Sequence, residues 1–336
     1  MAVMGWGIMG AGLIAQEMAR AIALCSETEL RGVGSQSLKR AQDWVQKFPD
    51  VDALSYNELL NRKDIQAVYV ATTHNFHKDC VLAALKAGKH VVVEKPFCVN
   101  QKEAREMAEL ARQSHLFLME ALWVRFLPSH QKLKSILASG VIGEIHQVSA
   151  VFGKFVEECY RPRLIDPSLA GGATLDLFCY PLSIISHLLD ALPLRVVSDC
   201  RKSKTGVDEI SNAILRYPSG VLAQVSASYD LRMESRMMFY GTLGHIECPE
   251  APFGKTFIIH KHDGTNHVIS QESLTVDDGS VGFLHQLQEA VRCIQSGLME
   301  SPIIPVAESV ALMRVMDGMR REWGLLYPFE KASDLE

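Results

Sequence analysis

Along the first 120 residues, near-continuous apolar runs alternate with stretches whose apolar positions recur at helical spacing. The runs AVMGWGIM, ELRGVGS, AVYVAT, KHVVVEKP and LFLMEAL predict strands, and LIAQEMARAIALC, SLKRAQDWVQKF, HKDCVLAALKAG and NQKEAREMAELARQS predict the helices between them. Strands apolar on both sides, separated by helices, predict a parallel sheet covered on both faces. Helix limits are marked as well. Asn100 with Glu103 three positions on forms a capping-box pattern, and Gly88 closes the preceding helix.

Beyond residue 120 the period changes. LPSHQKLKSILASGVIG reads as a helix. EIHQVSAVFGKF, VVSDCRKS, EISNAILRYP, GVLAQVSASYD, RMMFYGTLGHIEC, KTFIIHKHDG and HVISQES then alternate with period two, punctuated by PSG, TLG and HDG turns. This predicts an α+β domain built on a large, mostly antiparallel sheet. VGFLHQLQEAVRCIQSG and VAESVALMRVMDGMRREWG read as helices, split by Pro302 and Pro305. The expected organisation is a dinucleotide-binding α/β domain over 1–120 and an α+β domain over 121–301.

Composition narrows the function classes. Hydrophobic residues make up 48% and charged residues 22% of 336, the balance of a soluble globular protein. A formal net charge of -5 gives no electrostatic case for nucleic acid or an anionic membrane. No stretch is expected to span a bilayer, and the N-terminus reads as the first strand, with no basic leader. The eight cysteines are scattered without a CxxC pair, so neither a zinc site nor a disulfide scaffold is expected. Free thiols in a reducing cytoplasm are the expectation. The twelve histidines form no HExxH pattern, and no metal site is predicted.

The candidate chemistry starts between the first strand and first helix. Gly10-x-Gly12-x-x-Ala15 lies where a tight turn brings backbone amides and a helix N-terminus to a pyrophosphate. Gly10, Gly12, Leu13 and Ile14 are therefore expected to hold a dinucleotide. The second strand runs into Ser35, Gln36 and Ser37 with no acid to take a ribose 2′-hydroxyl, and Lys39 and Arg40 follow. Ser35, Gln36 and Arg40 suit a 2′-phosphate, which favours NADP over NAD. The third apolar run ends in Thr72, Thr73 and Asn75, expected to face the cofactor together with His77, which opens the next helix. The fourth ends in Glu94, Lys95 and Pro96, which points a lysine into the crevice where such sheets bind ligands, and Glu94 and Lys95 are expected to contact the cofactor. The sequence leaves open whether Pro96 is cis.

One further stretch stands out. LDLFCYPL, after Ala170-Gly171-Gly172, places Asp176 and Tyr180 four apart in an otherwise apolar run, on one side of a predicted helix. A buried acid and phenol are costly without partners. They read either as a cap and a core tyrosine or as one wall of a site.

Taken together, GxGxxA, the T-x-N-x-x-H-like turn, EKP and GG-x-x-x-D-x-x-x-Y resemble the glucose–fructose oxidoreductase / inositol dehydrogenase / MocA family along nearly the whole chain. Within it, FLMEALWVRFLP, FGKF and the tyrosine are most like the dihydrodiol and NADP-dependent D-xylose dehydrogenase branch. The resemblance implies a Rossmann domain with 302–330 packing back on it, and a substrate domain whose open sheet builds homodimers or larger homo-oligomers. It implies hydride transfer between NAD(P) and a sugar, polyol or cyclic trans-diol. It also implies Lys95, Asp176 and Tyr180 as catalytic, and Trp123, Arg125 and Arg163 as substrate positions. Tyr180 would give the proton that an alkoxide needs as hydride arrives. Lys95 would favour its phenolate, and Asp176 would orient Lys95 or a substrate hydroxyl. Phe178 departs from the family's small residue there, and Gln36 replaces an arginine. NAD-dependent inositol or sugar dehydrogenase chemistry, or a non-catalytic NAD(P)-binding sensor, are the alternatives.

Overall fold

The computed structural model describes residues 3–157, 159–265, 267–279 and 281–335, and they fall into two compact units. The first comprises Met1–Phe126 and Gly279–Met313, the second Leu127–Asp278 and Arg314–Glu336. In chain order the first unit runs β1 Met4–Met9, α1 Leu13–Leu24, β2 Thr28–Gly34, α2 Leu38–Val45, β3 Asp52–Leu54, α3 Tyr56–Asn61, β4 Ala67–Val70, α4 His77–Lys86, β5 His90–Glu94, α5 Gln101–Ser114 and β6 Leu118–Ala121. Its strands form one parallel sheet in the order β3-β2-β1-β4-β5-β6, the doubly wound Rossmann order. Every residue of β4 and β6 is buried, as expected of strands covered on both faces. The three-residue β3 was not visible as an apolar run. At the start of α5, Glu103 N donates to Asn100 Oδ1 at 3.0 Å, while the Glu103 carboxylate accepts from Val99 N at 3.2 Å.

The second unit runs α6 Pro128–Ala138, β7 Ile145–Gly153, α7 Arg161–Leu164, α8 Cys179–Leu188, β8 Arg195–Lys202, β9 Asp208–Arg216, β10 Leu222–Ser228, β11 Arg236–Gly241, β12 Gly244–Pro249, β13 Thr256–His262 and β14 Val268–Thr275. Its sheet is ordered β14-β13-β12-β11-β7-β10-β9-β8. Neighbours are antiparallel except β7 and β10, which pair in parallel. Alternate residues face inward, as with Ala223, Val225 and Ala227 of β10, and α8 with the turn before it packs on this sheet. The other face leaves Val197, Ile214, Leu222 and Tyr240 exposed.

Two expectations are corrected by this layout. Residues 279–301, expected in the second domain, fall in the first unit, because α9 Phe283–Gln295 buries Leu287, Ala290 and Val291 and packs against α1. The last helix, α10 Val306–Glu322, is divided at Met313, and the chain from Arg314 belongs to the second unit. There Lys202 Nζ donates to Trp323 O at 2.6 Å and Tyr327 OH to Gly171 O at 2.6 Å. Contrary to expectation, Pro167–Leu188 is long and apolar enough to cross a membrane by length and composition, but 83% of that window is buried inside the fold. Burial accounts for its apolarity, since a core helix is hydrophobic all round.

Candidate active site

In the first unit, the glycine turn is shaped for close approach. Gly10 has φ +112°, and a Cβ there would run into the Ala71 carbonyl, so a side chain is excluded on both counts. Gly12 caps α1 with extended backbone and no side-chain hydrogen bond, and a Cβ there would meet nothing within 4 Å. The first-turn amides of α1 thus lack a side-chain cap, while Leu13 and Ile14 beside them are exposed. At the end of β2, Ser35 Oγ accepts from Ser37 N at 3.3 Å, and Gln36, Lys39 and Arg40 are exposed. Tyr56 joins this end of the sheet with its ring beside Gly34, and burial pushes its pKa up to about 12.

After β4, Thr73 Oγ1 donates to Asn75 Oδ1 at 2.7 Å. His77 was expected to bind cofactor, yet it is fully buried between two carbonyls, Nδ1 at 2.9 Å from Pro96 O and Nε2 at 3.3 Å from Thr72 O. Burial brings its pKa down to about 4. A neutral ring donates through one nitrogen, and the shorter contact assigns that proton to Nδ1. His77 therefore ties the loop after β4 to the lysine turn, and the contact with cofactor expected of it is replaced by a positioning one.

That turn is braced by acids. The Lys95–Pro96 bond is cis. Buried Glu94 accepts from Tyr69 OH and, at 3.1 Å, from Lys95 N. Glu120, also buried, accepts from Phe97 N at 3.0 Å and Ser309 Oγ at 2.6 Å, and burial raises its pKa. Glu94 thus holds the main chain of Lys95. Trp123 opens a 3₁₀ turn, Trp123–Phe126, and stacks on Phe283 with ring centroids 5.5 Å apart. Arg125, expected at the substrate, is 1% exposed, paired with Glu308 at 2.5 Å, and bound to Ile303 O. A guanidinium paired in this way holds the turn.

In the second unit, Ala170 has φ +55° and Gly172 φ +130°, and a Cβ on Gly172 would strike the Asp208 carboxylate. Asp208 is fully buried, and its Oδ2 accepts from Thr174 N at 2.7 Å, Thr174 Oγ1 at 2.8 Å and Ser211 Oγ at 2.7 Å. This anchors a π-helical turn, Thr174–Phe178, at the point where α8 was expected to have begun. Such wide turns recur at functional sites. Asp176 lies within it, and Tyr180 follows in α8. Tyr180 is 6% exposed and meets Phe152 and Phe253 edge-on, each at 5.6 Å. Phe178 is fully buried, so its ring is core packing and does not line a site. Arg163 is exposed, and its charge reaches Tyr229. Its neighbour Arg161 pairs with Glu209 at 2.5 Å and Asp230 at 2.8 Å.

Asp208, Tyr229 and Glu120 escaped the sequence reading. The signal available was period-two phase: Tyr229 continues the inward stripe of Ala223, Val225 and Ala227. Among the described residues, no group of histidine, cysteine, aspartate and glutamate is placed to hold a metal ion.

Comparison with known proteins gives a consistent picture. Residues 4–122 match the GFO/IDH/MocA oxidoreductase family, NAD-binding Rossmann fold, and residues 130–247 match the GFO/IDH/MocA C-terminal domain. The chain is 33% identical to trans-1,2-dihydrobenzene-1,2-diol dehydrogenase of Bos taurus over 97% of its length and 98% of that protein. The human protein of that name is 32% identical over 97% of this chain and 98% of its own. The structure of KijD10, a 3-ketoreductase from Actinomadura kijaniata solved with NADP and TDP-benzene, superposes with a TM-score of 0.84 at 26% identity, covering 95% of this chain and 97% of that one. Aldose-aldose oxidoreductase from Caulobacter crescentus shares the fold, with a TM-score of 0.84 at 21% identity over 96% of this chain and 98% of its own.

Proposed function

The chain belongs to the GFO/IDH/MocA family of NAD(P)-binding oxidoreductases, and on that premise we propose that it moves hydride between NADP(H) and the carbinol carbon of a cyclic trans-diol, polyol or sugar. The observation that supports this most is the braced turn that carries Asp176 and leads into the helix of Tyr180. The glycine turn supports the cofactor. Gly10 admits no side chain, α1 starts without a side-chain cap, and Leu13 and Ile14 are uncovered beside it. Backbone amides of Gly10 to Ile14 would hold the pyrophosphate, and Ser35, Gln36 and Arg40 the ribose 2′-phosphate. Thr72, Thr73 and Asn75 would line the nicotinamide end. NADP is favoured because no acid follows β2, and because the similar 3-ketoreductase was solved with NADP.

When bound, the nicotinamide gives or takes the hydride. Tyr180 supplies the proton to the substrate oxygen, or removes it in the oxidative direction. Phe152 and Phe253 hold its ring edge-on. Lys95, its main chain fixed by Glu94, is the electrostatic partner that favours phenolate. Asp176 is the orienting carboxylate. Trp123 and Arg163 are retained as substrate-contact positions. Among substrates, cyclic trans-diols fit best: the aromatic pair beside Tyr180 suits an apolar ring face, and the similar mammalian proteins are trans-dihydrodiol dehydrogenases.

The enzyme is proposed to be a homodimer or larger homo-oligomer joined through the exposed sheet face of Val197, Ile214, Leu222 and Tyr240. The eight cysteines are all free thiols, which fits the cytoplasm.

Titrating both nicotinamide cofactors tests the binding reading. Gly12→Ala meets open space at an ordinary φ, so the melting temperature should hold while affinity for either cofactor falls about tenfold or more. Neutralising Lys39 and Arg40 together should weaken NADP and spare NAD. Undiminished NADP affinity in both variants would refute the assigned phosphate sites. Turnover is then read as nicotinamide absorbance against trans-cyclic diols, aldoses and inositols. Tight cofactor binding without turnover on any of them would overturn the proposed reaction.

A further inference from the structure

The Gly171–Gly172 turn leads into the π-helical turn of Asp176, and all four of its main-chain polar groups are bonded. Its amides donate to Asp166 O at 3.0 Å and to Leu164 O at 2.9 Å. Gly172 O accepts from Asp176 N at 3.3 Å and from Tyr229 OH at 3.2 Å. Gly171 O accepts from Tyr327 OH at 2.6 Å, across 156 positions of chain. Two glycines bring no side chains to pack and leave the backbone more freedom than any other pair. Hydrogen bonds therefore have to set where this turn lies, and Gly172 O passes that setting to the amide of Asp176.

Tyr327 is itself held firmly. Arg320 of α10 is fully buried, pairs with Glu330 at 2.9 Å and Asp317 at 3.1 Å, and lies 4.7 Å from the centroid of the Tyr327 ring. Glu330 also accepts from Tyr327 N at 3.1 Å. A buried ion pair contributes little net stability. Its result here is geometric: ring and main chain of Tyr327 are fixed together, with the hydroxyl aimed at Gly171 O. Burial raises the pKa of the phenol, which keeps that hydroxyl a donor.

Resting on the active-site reading above, we propose that Tyr327 is a positioning residue for the reaction, which holds Gly171 O and thereby sets the turn that anchors the backbone of Asp176. The segment after α10 thus acts on the chemistry through the glycine turn.

Tyr327→Phe keeps the ring and removes the donor. Its urea midpoint should fall, because a buried carbonyl loses its partner. Its kcat, counted per NADP-binding site, should fall about fivefold, the worth of one hydrogen bond. KM and NADP affinity should stay as in the parent. Tyr217→Phe is the control. Tyr217 is equally buried, and its hydroxyl lies 3.2 Å from Ser186 Oγ on α8, beyond the turn. That variant should lower the midpoint and leave kcat alone. If Tyr327→Phe cannot be recovered folded, Tyr229→Phe loosens the same turn at Gly172 O and must show the same split between kcat and KM. Unchanged kcat in the turn variant, or an equal loss of kcat in Tyr217→Phe, would overturn the positioning role. Asp176→Asn, assayed beside them, separates the two readings. Full turnover there would overturn the active-site reading and this proposal together. Turnover lost there but intact in Tyr327→Phe would overturn this proposal alone.

Discussion

Replacing Tyr180 with phenylalanine is expected to lower kcat about a thousandfold, the middle of the range for losing a general acid. The ring contacts with Phe152 and Phe253 are edge-on aromatic contacts and do not use the hydroxyl. The variant should therefore fold, bind NADP as the parent does, and fail only at proton transfer. Cofactor titration beside steady-state kinetics separates these outcomes. Full turnover in Tyr180→Phe would remove the tyrosine from the mechanism and leave Lys95 as the remaining candidate for the proton. A loss of both turnover and cofactor binding would point to misfolding, not chemistry.

Asp208→Ala should behave in the opposite way, costing stability first and activity as a result. Three donors converge on one carboxylate oxygen. The Thr174 and Ser211 hydroxyls also lie 2.7 Å from each other and can turn together once the acid is gone. The Thr174 amide has no such recourse, and burying it without an acceptor, with the charged hydrogen bonds lost, should cost about 3 kcal/mol. Because Thr174 begins the turn that carries Asp176, kcat should fall with stability. Urea denaturation measures the first effect and kinetics the second. A midpoint within error of the parent would show that the turn is held by its glycines and tyrosines and not by the acid.

Much of this architecture was legible beforehand, for identifiable reasons. Buried parallel strands read as unbroken apolar runs, and period-two strands read by alternation, so both sheets could be anticipated. Asp52–Leu54 escaped because three residues carry no period. The site divided differently. Residues proposed by type and spacing, such as Gly10, Gly12, Lys95, Asp176 and Tyr180, could be named. Those whose roles depend on remote partners could not. The pairing of Arg125 with Glu308, 183 positions away, left no local signal. His77 looked like a cofactor ligand until the Pro96 carbonyl enclosed it. The π-helical turn at Thr174–Phe178 was missed because its sequence is as good an α-helix as any.

The strand order of the second sheet also sets a timetable. β7 sits in the middle, but both of its neighbours, β10 and β11, are made much later in the chain. The interval is about 70 residues to β10, which at roughly 5–20 residues per second of synthesis is several seconds or more. During that time β7 has left the ribosome with two bare edges, the condition in which strands pair with the wrong chain. The glycine turn waits longer still, since Gly171 receives its hydrogen bond from Tyr327, 156 positions further along the chain. A growing chain can thus finish the first sheet early, before α9 is made, while the turn that carries Asp176 reaches its final setting only after Tyr327 has been made. The enzyme should acquire a cofactor platform well before it acquires a catalyst.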